Sequence, residues 1–105
     1  MLETFTDSNF ATEVLASDKL TVVDFWAPWC PPCLVVGKTL EEVAKTFGDK
    51  VKIGKVNADD NPNVAVDYAV TNMPVVLFIK NGQVVDKQVG NAPKSTYEKK
   101  IQQFL

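Results

Sequence analysis

The sequence predicts an α/β fold with a mixed central sheet and helices on both faces. Stretches typical of strands and helices alternate along the chain in the order β-α-β-α-β-α-β-β-α. Asn81-Gly82 separates the last two strands, and this dipeptide is typical of a two-residue hairpin turn. Strands joined through helices pair in parallel by right-handed crossovers, whereas the hairpin adds an antiparallel pair. The sheet is therefore mixed and has helices on both sides.

Length and composition indicate one small globular domain. The chain has 105 residues, of which 46% are hydrophobic and 23% charged. That length is enough to bury a core without added cross-links, so we predict a single domain over residues 1–105. A formal net charge of -2 gives no electrostatic basis for binding nucleic acid or an anionic membrane. No apolar run spans a bilayer, and residues 1–7 lack the features of a signal peptide.

The first third of the chain predicts two strands and a helix. Residues 3–5 are a short edge strand. A first helix ends near Ser17, and its candidate N-caps are Thr6, Asp7 and Ser8. Its apolar face is formed by Phe10, Val14 and Leu15. Residues 20–26 are β-branched and aromatic, which is typical of a strand covered on both faces.

The middle of the chain predicts a long helix and a third strand. The helix continues from Cys33 to about Phe47 and ends at Gly48-Asp49. Its apolar positions are Leu34, Val35, Val36, Leu40, Val43, Ala44 and Phe47. Residues 51–57 alternate apolar and polar side chains, which predicts a strand.

The last third predicts a short helix, the hairpin and a final helix. Residues 59–62 provide a cap and a helix-starting proline. The short helix that follows runs through Val64, Val66 and Tyr68. The hairpin strands cover residues 75–79 and 83–89. Pro93 opens the last helix, whose apolar face consists of Tyr97, Ile101, Phe104 and Leu105.

Two cysteines mark the candidate functional site. Cys30 and Cys33 follow the buried strand directly, and Pro31 and Pro32 suit the first turn of a helix, where N–H groups have no intrahelical partner. The helix dipole favours negative charge there, so a thiol loses its proton more easily and becomes a nucleophile. A Cys-x-x-Cys pair beside a βαβ pattern predicts a redox pair.

The residue inventory excludes several other kinds of site. Both cysteines lie in the one motif, which leaves no structural disulfide framework and predicts a reducing, cytoplasmic location. The chain has no histidine, so Cys–His and Ser–His catalysis are excluded. Two cysteines cannot complete a four-ligand zinc site in one chain, and we predict no metal. A metal cluster bridged between two chains stays open as an alternative.

Several segments resemble thioredoxins of bacterial type. They are residues 23–27, the motif at 26–33 with its Cys-Pro-Pro-Cys active-site run, and residues 55–59, 73–74, 80–82 and 89–90. The resemblance implies the thioredoxin fold, a mixed five-stranded sheet flanked by four α-helices. It also implies a monomeric thiol–disulfide oxidoreductase that reduces disulfides in client proteins. A flavin-containing thioredoxin reductase would recharge it with electrons from NADPH, and the redox-active disulfide would be its only redox group.

The resemblance implies roles for four residues of the reaction. Cys30 would be the attacking thiolate and Cys33 the resolving thiol that displaces the product from a mixed disulfide. Asp24 is an acid in an apolar strand, where burial raises its pKa, and it would accept the proton of the resolving thiol. Lys55 on the neighbouring strand would lie near it. The residues alone leave alternatives open, namely a solvent-facing or structural Asp24 and an ordinary exposed Lys55.

The resemblance also implies a substrate-binding rim around Cys30. Its members are Trp29, Met73, Pro74, Val89, Gly90 and Ala92. From the residues alone Pro74 is a strand-start proline, whereas in the family this proline is cis and faces the cysteines. Met73 would offer main-chain groups to an extended substrate segment. Trp26 is predicted to pack against the active-site loop.

Four positions depart from the commonest thioredoxin pattern. Pro31 and Asn72 replace glycines, Leu34 replaces a lysine and Lys38 replaces a proline. With Pro32, Pro31 stiffens the loop, and family members with other dipeptides between the cysteines tend to be more oxidising. We therefore hypothesise a couple less reducing than the roughly -270 mV of thioredoxin. A disulfide oxidase or isomerase is one alternative function, and a binding or assembly subunit without redox turnover is another.

Overall fold

A mixed five-stranded sheet forms the centre of the computed structural model, which describes residues 2–105. The strands are β1 (Glu3–Thr4), β2 (Thr21–Trp26), β3 (Lys52–Asn57), β4 (Val75–Lys80) and β5 (Gln83–Val89). Their order across the sheet is β1-β3-β2-β4-β5. β3 is parallel to both β1 and β2, whereas β4 is antiparallel to β2 and β5. The predicted mixed sheet is therefore confirmed.

Within residues 2–105, and apart from a short 3-10 helix at Gly48–Lys50, four helices flank the sheet on both faces. They are a π-helix (Ala11–Leu15), α1 (Pro31–Phe47), α2 (Pro62–Asp67) and α3 (Lys94–Phe104). Alternate β2 side chains serve opposite faces: Val22 packs in a core with α1 and α3, whereas Val23 packs in a core with the π-helix and α2. Within residues 2–105, no helix has the length and apolar character needed to cross a membrane.

The predicted apolar face of the first helix wrongly includes Leu15, which is 37% exposed. The reason is that this segment forms a π-helix, in which the N–H of Ala16 donates to the carbonyl of Ala11 over 2.9 Å. That i to i+5 spacing widens the turn. Phe10 and Val14 stay buried, whereas Leu15 is displaced from the face that they share.

The other predicted helix faces also include positions that the structure leaves in solvent. In α1 the buried stripe follows helical spacing and consists of Cys33, Val36, Leu40, Val43 and Phe47. Leu34 and Val35 lie off this stripe and are 47% and 51% exposed. Val66 on α2 and the terminal Leu105 are exposed as well. Hydrophobicity alone therefore overestimates the buried set on long and short helices alike.

Asp7 caps a helix that is distant in sequence. It was one of three predicted N-caps of the first helix, but the π-helix has no side-chain cap, and Thr6 accepts a hydrogen bond from the N–H of Asn9 in the preceding turn. The Asp7 carboxylate instead accepts hydrogen bonds from the N–H groups of Asn63 and Val64 at the start of α2, over 3.3 and 2.9 Å. This contact ties the N-terminal segment to α2.

Ala69, just beyond α2, has a left-handed backbone that favours glycine. Its φ is 54°. The N–H of Val70 donates to the carbonyl of Ala65, and the N–H of Ala69 donates to the carbonyl of Val66, as in a Schellman motif. We expect Ala69→Gly to raise the free energy of unfolding by about 1 kcal/mol, because relief of the left-handed strain exceeds the added chain entropy. Denaturant unfolding of the oxidised protein measures this.

Ala11 provides the matched control for this prediction. Like Ala69 it is exposed, but it lies within the π-helix and its backbone is not left-handed. Ala11→Gly should therefore lower the free energy of unfolding, by up to about 1 kcal/mol. Equal losses for both variants would show that Ala69 carries no backbone strain.

Candidate active site

The cysteine pair lies where β2 gives way to α1. Cys30 is the N-cap of α1 and has an extended backbone, and Pro31 occupies the first helical position. The chain turns because the N–H of Cys30 donates to the carbonyl of Ala27 over 3.1 Å. Cys30 and Cys33 are joined by a disulfide, with 5.3 Å between their Cα atoms. Cys30 is 6% exposed and Cys33 1%, so Cys30 is the more accessible sulfur.

The start of α1 has few main-chain donors to offer a thiolate. Pro31 and Pro32 have no N–H groups. The next two N–H groups, those of Cys33 and Leu34, donate to the carbonyl of Cys30 over 3.1 and 3.4 Å. With glycine at position 31, one further N–H would be available. Pro31 therefore weakens the stabilisation that this helix start gives to a Cys30 thiolate.

Asp24 is buried behind the cysteine pair. It pairs in register with Lys55 of β3 and Val76 of β4, and it is 1% exposed. Neither carboxylate oxygen has a hydrogen-bond partner within residues 2–105. Burial raises the pKa of Asp24 to about 7, although the positive charge of Lys55 opposes the rise. Neither solvent exposure nor a structural hydrogen bond therefore accounts for this acid.

A cavity of about 190 Å³ connects Asp24 with Cys33. Trp26, Gly37 and Lys55 also line it. Its outer lining comprises three exposed residues of α1, namely Leu34, Lys38 and Glu41. The cavity has room for several water molecules, and its wall carries polar groups that can bind them. The Cys33 thiol and the Asp24 carboxylate therefore border one space that water can enter.

Lys55 and Trp26 form one wall of this cavity. The Nζ atom of Lys55 lies 5.0 Å from the centre of a Trp26 ring, within the range of a cation–π contact. Lys55 is half-buried. It therefore differs from the ordinary exposed lysine that an alternating strand would carry. Trp26 is partly buried and packs against the cluster of Ala27, Cys30 and Cys33.

Two of the predicted rim residues, Trp29 and Met73, lie beside the cysteine pair. Trp29 is 66% exposed, and its indole N–H donates to the Asp59 carboxylate over 2.9 Å. Met73 packs against the cysteine cluster and precedes Pro74 through a cis peptide bond. None of the main-chain hydrogen bonds outside helices and strands within residues 2–105 involves Met73. Its N–H and carbonyl are therefore available to a ligand.

The remaining rim residues differ in their surroundings. The N–H of Gly90 donates to the carbonyl of Pro74 over 2.9 Å, which joins the two segments. Val89 is 50% exposed, whereas Pro74 is buried. Ala92 is half-buried and packs against the core under α1 and α3 rather than against the cysteine cluster. The structure thus separates Ala92 from the other predicted members.

Sequence reasoning missed several residues of this site. Gly37, Lys38 and Glu41 line the cavity, and their spacing from Leu34 places them on one helical face beside the cysteines. That spacing could have identified them. Asp59 was assigned only to a helix cap, and nothing in the sequence indicates its contact with Trp29.

The comparisons with known proteins all match this chain to thioredoxins. The family described as Thioredoxin matches residues 1–103. The chain is similar to a thioredoxin of Chlorobaculum thiosulfatiphilum, at 47% identity over 95% of this chain and 93% of the relative. It is also similar to thioredoxin 1 of a Nostoc species, at 45% identity over 95% and 94%. An M-type chloroplastic thioredoxin of Pisum sativum is 39% identical over 94% of this chain and 58% of its own length.

Proposed function

Because the chain belongs to the thioredoxin family, we propose that it reduces client disulfides with Cys30 as the attacking thiolate and Cys33 as the resolving thiol. The chain is a protein-disulfide oxidoreductase that works by dithiol–disulfide exchange. The observation that supports the division of roles is the greater exposure of Cys30, which sits at the N-cap of α1. Cys33 lies one turn further into the helix and is covered.

The reaction consists of two exchanges. The Cys30 thiolate attacks one sulfur of the client disulfide, so a mixed disulfide forms and the other client sulfur leaves as a thiolate. Cys33 then loses its proton and attacks the sulfur of Cys30. The mixed disulfide breaks and the client leaves fully reduced. The electron pair has then moved to the client, and the protein holds the Cys30–Cys33 disulfide.

In this proposal Asp24 accepts the proton that Cys33 must lose. A pKa of about 7 suits a general base at neutral pH. The cavity that Asp24 and Cys33 share supports transfer through water. Lys55 stabilises the ionised carboxylate from the same cavity, since its positive charge opposes the rise in pKa.

We propose that the client binds in extended form along Met73. The free main-chain groups of this residue support recognition by strand addition, and it packs against the cysteine cluster. The exposed faces of Trp29 and Val89 supply apolar contacts on either side. Gly90, which is hydrogen-bonded to Pro74, allows close approach of the client backbone.

Further proposals concern the protein's setting. We propose a monomer of a single domain over residues 1–105, of bacterial type and cytoplasmic, recharged by a thioredoxin reductase with electrons from NADPH. The bacterial relatives support the type, since they match over nearly their whole length. The confinement of both cysteines to the redox motif supports a reducing compartment.

The reduction potential separates a reductase from an oxidase or isomerase. Because Pro31 removes a donor from the Cys30 thiolate, it disfavours the ionised dithiol state and favours a reducing couple. The hypothesis of a less reducing couple, which rests on family members with other dipeptides between the cysteines, favours the opposite. We expect a potential near or below about -270 mV, measured by equilibration with thiol–disulfide buffers. A potential above about -200 mV would contradict a simple reductase.

Pro31→Gly tests the cause of that potential. The restored N–H should stabilise the thiolate and raise the potential by roughly 30 mV, equivalent to about 1.4 kcal/mol. Pro62 is the matched control, since it holds the same first position in α2, away from the cysteines. Pro62→Gly should leave the potential unchanged. If Pro31→Gly lowers the potential instead, the hypothesis of a less reducing couple with Pro31 is correct.

A further inference from the structure

Tyr97 on α3 has an unusual polar environment. Its side chain is fully buried, and its hydroxyl has no hydrogen-bond partner within residues 2–105. In this part of the chain, the two carboxylate oxygens of Asp24 are the other buried side-chain atoms without a partner. Buried tyrosine hydroxyls usually form a hydrogen bond. A donor without an acceptor and an acceptor without a donor are thus present in one core.

The two groups lie on the same side of the sheet. Asp24 faces α1, since its Oδ2 lies 3.9 Å from where a Cβ on Gly37 would stand. Tyr97 belongs to the core cluster that contains Val22 and Val76. Val76 is the cross-strand partner of Asp24, and Val22 shares its face of β2. Tyr97 and Asp24 therefore both lie on the face of the sheet that carries α1 and α3.

Electrostatics also couple the two side chains. Burial raises the pKa of Tyr97, and the negative charge of Asp24 raises it further. The main-chain N–H of Ala92 lowers this pKa by acting on the phenolic oxygen, without completing a hydrogen bond. Because Ala92 presents a donor, the hydroxyl proton of Tyr97 stays free for an acceptor.

We propose that Tyr97 is a positioning residue for Asp24, whose carboxylate it holds through a hydrogen bond relayed by one internal water molecule. Tyr97 does not line the cavity that Asp24 shares with Cys33. In this proposal it acts on the carboxylate from the side of α3, the helix to which it belongs. One carboxylate oxygen is held from that side, and the other is left to receive the proton of Cys33.

The titratable groups around Asp24 come from three elements. Lys55 faces it from β3, and Cys33, Lys38 and Glu41 line the shared cavity from α1. The contribution from α3 is Tyr97, and β4 contributes the apolar Val76. Lys55 and Tyr97 both favour the ionised carboxylate, one as a charge and the other as a donor. Removing the donor should therefore make Asp24 harder to ionise.

Tyr97→Phe tests this inference, which rests on the proposed role of Asp24 as the proton acceptor. NMR titration of the Asp24 carboxyl carbon in the oxidised protein should show a pKa higher by about 0.5 pH unit or more. The acid limb of the reductase pH profile should move by the same amount. Client reduction should fall about threefold well below neutral pH and stay unchanged well above it.

Tyr68→Phe is the matched control, because Tyr68 packs against Phe10 on the opposite side of the sheet. It should leave the Asp24 titration unchanged. The inference is overturned if Tyr97→Phe also leaves the Asp24 titration unchanged. An increase in stability would then show that the buried hydroxyl of Tyr97 is unused. The titration is read without turnover, so a failure of Asp24 as proton acceptor, seen as an unaltered pH profile in Asp24→Asn, is distinguished from a failure of this inference.

Discussion

Asp24→Asn is expected to raise the free energy of unfolding near pH 8 by about 2–4 kcal/mol. The pKa of Asp24 is about 7 in the folded protein and 3.8 as its ordinary value. The folded state therefore binds a proton more tightly than the unfolded state. The resulting stability is fully present below the ordinary pKa and is lost as the pH rises through about 7.

The size of the effect follows from the difference between the two pKa values. Each pH unit of difference is worth about 1.4 kcal/mol, so roughly three units give an upper limit of about 4 kcal/mol. Because Asp24 is 1% exposed, solvent does not screen this effect. An asparagine amide would also lack hydrogen-bond partners there, which brings the expected gain below the limit.

Denaturant unfolding of the oxidised protein between about pH 4 and pH 8 measures this prediction. The natural protein should lose stability across this range, and Asp24→Asn should lose much less. Asp60→Asn is the control, since Asp60 is exposed and carries the same change of charge. If Asp24→Asn loses as much stability across this pH range as Asp60→Asn does, ionisation of Asp24 does not destabilise the folded protein.

The stability gained in Asp24→Asn should be accompanied by a loss of activity. General bases typically contribute about 10²–10⁴-fold to a rate. We expect the lower end, about 10²-fold near neutral pH, because a few per cent of a thiol is ionised without help. Asp24 would then be a residue that activity requires although it lowers the stability of the folded protein.

Cys30→Ser is expected to abolish client reduction, a loss of more than about 10³-fold. A serine hydroxyl does not ionise in this pH range and cannot form a disulfide. The remaining Cys33 is 1% exposed and cannot reach a client sulfur. Turnover is measured as reduction of a disulfide-containing protein by a dithiol or by NADPH with thioredoxin reductase. A subunit that acts by binding alone would keep its function in Cys30→Ser.

Cys33→Ser is the matched variant, because it removes the other sulfur and leaves Cys30 in place. The first exchange should proceed and the second should not, so the variant should stop at a mixed disulfide. Catalytic turnover should be lost here too, but one client molecule per protein should be captured. Sustained turnover by Cys33→Ser would show that Cys33 is not the resolving thiol.

The order of helices and strands could be predicted because hydrophobic patterning is a local property. The alternation along residues 51–57 and the Asn81-Gly82 turn identified their elements without tertiary information. Local patterns could not predict that the first helix is a π-helix, which displaces Leu15 from its apolar face. Nor could they show that Asp7 caps α2, a contact between residues far apart in sequence.

The candidate site shows the same division. Asp24 stands out in the sequence because it is an acid within an apolar strand. The cysteine pair stands out because it follows that strand directly in a Cys-x-x-Cys motif. The cavity that connects Asp24 to Cys33 depends on how α1 packs over β2 and β3. Tyr97 was predicted only as part of an apolar face. Its relation to Asp24 is visible only once α3 is placed on the sheet.

The capture of a client by single-cysteine variants tests the central proposal most directly. Cys33→Ser and Cys30→Ser are each mixed with a disulfide-containing protein, and intact-mass spectrometry follows the covalent adduct over time. We expect a rapid adduct through Cys30 in Cys33→Ser and essentially none through the buried Cys33 in Cys30→Ser. An adduct that forms as fast in Cys30→Ser, or in neither variant, would contradict it.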